Sequence, residues 1–199
     1  MNADAIISSL VTGEMLLEMP QYYPGSGMTY QKDSKFTRIS LGNFRRYRVI
    51  HQDSAYTYVL GPTGSFGFVF SNADIENPPS SGLLPVLSLE LRDSGIKGYK
   101  QAYHLRIRQD FASRNVATTW YCKYVDLMGG IVSDFEHLEG GKVLWRSFVN
   151  SAVSRGYKIS SYNLDTQEST PVGPQTPDSE IWSYGPEKKR IVLVMERNV

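Results

Sequence analysis

One cysteine in 199 residues, Cys122, leaves no intramolecular disulfide to be made. A reducing cytosol is the simpler setting for such a chain. Cys122 falls in a helical pattern, where it reads as a small apolar filler or as a nucleophile. Three histidines, His51, His104 and His137, are scattered without metal-ligand spacing, so no metal site is expected. No apolar run approaches the ~18 residues of a membrane-spanning helix. The first nineteen residues carry three acids and no base, which is unlike a secretory signal. Charge of one sign is missing as well. Lys and Arg number 21 against 20 Asp and Glu, a net +1, whereas a dedicated non-specific nucleic-acid binder is basic overall. Repeats, heptads and collagen-like periods are absent. What remains is 41% hydrophobic and 21% charged, an ordinary globular composition of single-domain length.

Within that one domain, 1–199, three stretches differ in pattern. Residues 1–35 begin with Ile6, Ile7, Leu10, Val11, Met15, Leu16 and Met19, spaced for an amphipathic helix or an arm against a neighbour, and stop at Pro20 and "YYPGSG". Residues 36–111 are rich in β-branched and aromatic side chains. "FTRISLGNFRRYRVIHQ", "AYTYVLG", "SFGFVFSN" and "LLPVLSLELRD" read as strands of a mainly antiparallel sheet. "GPTG", "NPPSSG" and "DSGIKG" are the breaks between and after them.

Residues 112–199 alternate. After the strand "YHLRIRQDF", the stripe Val116, Trp120, Tyr124, Met128 predicts a helix closed by two glycines, then a short strand "GGIVSDF". Leu144, Phe148 and Ala152 mark a second helix, and Gly156 closes it before the strand "YKISSYNLD". "TQESTPVGPQTPDSE" reads as a polar loop, and "IWSYGPEKKRIVLVMER" as a hairpin whose last strand, Ile191 to Met195, is buried on both faces. Strands joined by helices favour parallel pairing, so the fold class is α+β, a mixed sheet covered by helices.

In "RQDFASRNVATTW" a strand end, a polar turn and a helix start make an anion-binding layout. Free amides at a helix N-terminus and the helix dipole attract phosphate. Asn115 tolerates the left-handed backbone such a turn uses. Arg114, Ser113 and Thr118 can add direct phosphate contacts. A plain helix cap by Ser113 or Asn115 accounts for the same residues.

The order of elements over 99–197 resembles the core of the GNAT N-acetyltransferases, and its last third is similar to a phage-encoded branch. The residues that carry the likeness are Val116-Ala117 with Tyr121, Ser133-Asp134, and Gly141 to Trp145. The resemblance implies acetyl-CoA or another acyl-CoA as donor, held where a second strand splays from the central one. The implied donor contacts are Arg106, Ile107 and Arg108 of the central strand, then Ser113, Arg114, Asn115, Val116, Ala117 and Thr118 of the turn and helix. It further implies a protein or amine acceptor and a place in the cytoplasm of a bacterial host, or in the virion. The family turn, Arg/Gln-x-x-Gly-x-Gly/Ala, keeps Ala117 here but has Ala112 and Asn115 at its first and central positions. Where many members use a Tyr acid in the second helix, this chain has Leu144-Trp145, with Tyr121, Tyr157 and Tyr162 as replacements.

Asp134, Ser133 and His137 form the expected catalytic cluster, with Glu136 beside them, near the carboxyl edge of the sheet where α/β folds place ligands. Asp134 or His137 would be the base; a solvated loop capped by Ser133 and Asp134 is the alternative. Arg45, Arg46 and Arg48 around Tyr47 form a basic-aromatic patch, read as a charged strand edge or as a contact for nucleic acid in the manner of the Mom-type DNA-modifying enzymes. A catalytically inactive relative that binds a phage or host protein is the remaining expectation. No membrane partner is expected.

Overall fold

A computed structural model describes residues 30–31, 36–111, 115–134, 139–182 and 190–198. Its strands are β1 (Tyr30–Gln31), β2 (Arg48–Gln52), β3 (Tyr56–Leu60), β4 (Phe66–Ser71), β5 (Leu87–Asp93), β6 (Lys100–Arg108), β7 (Gly130–Val132), β8 (Tyr157–Asn163), β9 (Ser169–Val172) and β10 (Ile191–Arg197). The helices are α1 (Leu41–Phe44), α2 (Asn72–Glu76), α3 (Val116–Met128), α4 (Glu139–Ser151) and α5 (Asp178–Ile181). Two 3-10 turns, Gln109–Phe111 and Val153–Arg155, follow β6 and α4. The strands form one mixed sheet in the order β2-β3-β4-β5-β6-β7-β10-β8-β9, with β1 attached to β6. The expected α+β class is what the chain adopts.

From β2 to β6 every neighbouring pair is antiparallel. "GPTG" makes the β3–β4 hairpin, where the Gly61 amide donates to the Phe66 carbonyl at 2.8 Å. The alternation of β5 sends Leu87, Leu89 and Leu91 into the main core, and so places Ser88, Glu90 and Arg92 on the other face. Helices α3 and α4 cover the core face. Trp120, Tyr121, Tyr124 and Val125 of α3 meet Trp145, Phe148 and Val149 of α4 over Ile131, Ile159 and Leu193. The opposite face is covered at one end by the segment around α1, where Ile39, Tyr47, Val59, Phe68, Phe70 and Leu83 form a second core.

Several expectations are corrected. "FTRISLGNFRRYRVIHQ" is not one strand: Ser40 caps α1 by accepting from the Asn43 amide at 3.3 Å, and the strand starts only at Arg48. A turn therefore carries Arg45 to Tyr47, and Tyr47 is buried in a stack on Phe68. The "polar loop" holds β9 and α5. Ile181 is helical, so the first arm of the expected C-terminal hairpin is not a strand there. The remainder of its tip lies outside the described residues, as does the helix expected over 3–19. Residues β7 and β8 do not pair, because β10 lies between them, antiparallel to both. As expected, Ile191 to Met195 are all buried. Among the described residues, no helix is long and apolar enough to cross a membrane.

Candidate functional site

Strand β6 has two edges. One is held by β5 from Lys100 to Ile107. The other pairs in parallel with β7 only at Lys100 and Gln101, which lie against Ile131 and Val132. At its far end the same edge pairs in parallel with β1, Tyr30 against Ile107 and Gln31 against Arg108. Among the described residues, no strand holds the length between. The central parallel pair thus parts after two residues, and α3 starts just beyond the end of β6.

Asn115 stands at the N-cap of α3 with φ 52° and ψ 17°, in the left-handed region, and its side chain makes no capping hydrogen bond. Its contribution is to the backbone turn. The Asn115 carbonyl accepts from Thr119 at 3.0 Å, which leaves the amides of Val116, Ala117 and Thr118 ahead of the first helical bond. These three side chains are buried. Ser113 and Arg114 lie outside the described residues.

The expected donor residues of β6 point in different directions. Ile107 belongs to the main core. Arg108 donates to Asp110 at 3.1 Å, with its guanidinium 4.7 Å from the Phe111 ring centre. Arg106 faces the opposite side of the sheet from α3.

In the catalytic cluster, His137 and Glu136 lie outside the described residues. Ser133 is fully buried just past β7, and its hydroxyl is engaged twice: it accepts from the Leu193 amide at 2.8 Å and donates to the Asp134 carbonyl at 2.9 Å. Its own carbonyl accepts from Gln101 Nε2 at 2.9 Å, fastening β7 to β6. Asp134 follows, partly exposed. Burial, and then the charge of Asp134, raise the pKa of the Tyr121 hydroxyl, so Tyr121 is a neutral donor in this neighbourhood. Trp145 is buried edge-to-face on Tyr121, with ring centres 5.7 Å apart. Of the other tyrosines considered, Tyr157 donates to Asp126 at 2.9 Å and is committed to the end of α3. Tyr162 packs on the third core beside Val192 and Val194. Of these tyrosines, Tyr121 is the one on which the charge of Asp134 acts. Among the described residues, no group of three or more His, Cys, Asp or Glu could hold a metal ion.

A second cluster escaped the sequence reading. Glu90 of β5 is buried and accepts from Arg92 Nε at 2.5 Å, while His104 Nδ1 lies 3.4 Å from its other oxygen. Burial alone would raise the Glu90 carboxyl; bonds from His104 and Arg92 and their charges outweigh it and hold the pKa below its ordinary value. His104 gets there through a bulge. Ser88 opposes Arg106 but Glu90 opposes Tyr103, so β6 carries one extra residue, and His104 takes φ 48°. The alternation of "SLELRD" predicts the face of Glu90, but nothing local in "AYHLRI" announces the bulge. Compared with protein-family models, with curated proteins and with solved structures, the chain matches none.

Proposed function

We propose that the protein is an acyl-CoA-dependent N-acyltransferase of the GNAT type. The observation that carries this reading is the parting of β6 from β7 after Gln101, with the start of α3 beyond it. The length of the β6 edge that no described strand holds offers backbone groups to the amides of a pantetheine arm, as an added strand would use them. The amides of Val116, Ala117 and Thr118, at the positive end of α3, suit the pyrophosphate. In the transfer, the acceptor amine attacks the thioester carbonyl. The N–C bond forms, the C–S bond breaks, the amine proton goes to a base and the thiolate takes a proton from an acid. Asp134 is the base of this proposal and Tyr121 its proton donor. The acceptor is an amine on a small molecule or a protein.

Two features favour a second reading. β1 pairs with the end of β6 that a donor would pass on its way to α3, and the resemblance would put a proton-donating Tyr at the position of Trp145. The second reading is a GNAT-like protein without catalysis that binds a phage or host protein.

Calorimetric titration with acetyl-CoA, followed by thiol release in the presence of a panel of amines, separates them. Micromolar binding with amine-dependent thiol release is the expected result. Binding without release for any amine supports the second reading, and no heat at ~1 mM acetyl-CoA overturns the first.

A further inference from the structure

The face of the sheet opposite α3 carries a shallow cleft over β4, β5 and β6. Two cross-strand rows build it. Phe68, Ser88 and Arg106 are successive partners in one row. In the other, Phe66 lies opposite Glu90, with His104 beyond. Ser88, with a short side chain, stands between Phe68 and Arg106 in the first row, and all three line the cleft. Phe66 is partly exposed at its side and stacks on Phe68, ring centres 6.4 Å apart and 17° from parallel.

The charges in the cleft are unequal. One carboxylate, Glu90, faces two guanidiniums, and it is already satisfied by Arg92 and His104. Arg92 is further held over the Tyr103 ring, 3.6 Å from its centre. Arg106 is the cation left over. Among the described residues, none accepts a hydrogen bond from its guanidinium, although the side chain is half-buried. A guanidinium withdrawn from water without an acceptor is costly, and an anion at its fork repays that cost. Arg offers paired donors that match a carboxylate or a phosphate. The exposed side of Phe66 offers a flat apolar surface next to it.

We propose that this cleft binds an aryl anion, a single carboxylate or phosphate carried on a flat apolar ring. The anionic group sits over Ser88 on the Arg106 guanidinium, and the ring lies against Phe66. The site uses the face of the sheet opposite α3, away from the β6 edge, and stands whether or not the protein transfers acyl groups.

The test titrates the full chain with benzoate, phenyl phosphate and inorganic phosphate, following the Arg106 side-chain Nε–H signal by nuclear magnetic resonance. Benzoate or phenyl phosphate should shift that signal with saturation below ~10 mM, and whichever does so identifies the anion. Arg106→Gln lacks that signal and is titrated by calorimetry beside the parent; it should bind about tenfold or more weakly, the loss of a charge-assisted pair. Ser88→Leu, which fills the cleft and leaves every charge in place, should weaken binding similarly. Arg45→Gln, an exposed arginine at the end of α1, should change nothing. The proposal falls if neither aryl anion shifts the Arg106 signal. It falls too if inorganic phosphate binds as tightly as both aryl anions, or if Ser88→Leu, with an unchanged far-ultraviolet spectrum, binds like the parent.

Discussion

The Trp120 indole of α3 lies directly on the Cα of Gly67 in β4, and its Nε1 points to the Val59 carbonyl at 3.4 Å. Gly67 has ordinary strand geometry, so its lack of a side chain serves packing and not backbone freedom. A Cβ at this position would enter the indole ring. Trp120 is fully buried and stacks on Tyr124 with ring centres 5.0 Å apart, which leaves no direction of retreat. Gly67→Ala should therefore destabilise the fold by about 1–3 kcal/mol, the usual cost of overpacking. Chemical denaturation of the two proteins measures it, and an unchanged midpoint would mean that α3 can lift from the sheet.

Ser133→Ala separates a structural role from a catalytic one. The substitution leaves the Leu193 amide, in the middle of the sheet, without its side-chain acceptor. A loss of about 1–3 kcal/mol is expected from a buried donor left unpaired. If stability is untouched while thiol release fails, Ser133 belongs to the chemistry instead.

Glu196 should give the protein a component of acid sensitivity. Burial alone would raise its carboxyl. Hydrogen bonds from Lys97 at 3.0 Å and Tyr99 at 2.9 Å, with the charges of Lys97 and Lys158, outweigh burial and hold the pKa below the ordinary 4.5. A carboxyl with a depressed folded pKa contributes stability that is complete above its unfolded value. That contribution is lost as the pH falls through the folded one. Glu196→Gln should cost about 1 kcal/mol at neutral pH, with the difference shrinking as the pH drops below 4.5. Thermal melts of both proteins across that range provide the check; a gap that widens on acidification contradicts it.

Asn115 holds a left-handed backbone without using its side chain as a cap. Asn115→Gly should stay within about 0.5 kcal/mol of the parent, since glycine adopts this geometry freely but gains freedom when unfolded. Asn115→Val should cost about 1–2 kcal/mol, because a β-branched residue is strained there. Under the proposed function, Asn115→Gly also removes a side chain from the anion's approach, so acetyl-CoA should bind at least as tightly. A tenfold weakening would give the Asn115 side chain a direct contact with the anion instead.

Much of the fold was legible because its signals are local. The stripe of α3 and the closing Gly129, at φ 85°, lie within one stretch of chain. The apolar run of β10 likewise announces a strand buried on both faces. Other features depend on residues far apart. "FTRIS" reads as a strand by composition, but Ile39 only bridges to Leu83, and Ser40 then turns the chain into α1. "STPV" looks like loop because Pro171 is poor in a strand; it survives in β9 because this is the edge of the sheet. At the candidate site, Asp134 and the turn geometry of Asn115 could be read from residue type. The influence of Asp134 on Tyr121, and the meeting of Glu90 with His104, could not. The first depends on how α3 lies beside β7, and the second on a one-residue bulge that leaves no mark in the sequence.

The place of β10 bears on how the protein is assembled in time. The two strands it joins, β7 and β8, are complete long before residues 191–197 leave the ribosome, yet they have no bond to each other. Until β10 inserts, the sheet is two pieces with facing open edges. One would run from β2 to β7, and the other is the β8–β9 hairpin. Closure is a late, non-local event that brings Val194 to both Val132 and Ser160. Such pairings are slow to form and expose strand edges while they wait. During synthesis, the nascent chain is most vulnerable to aggregation in the interval between the completion of β8 and the arrival of β10.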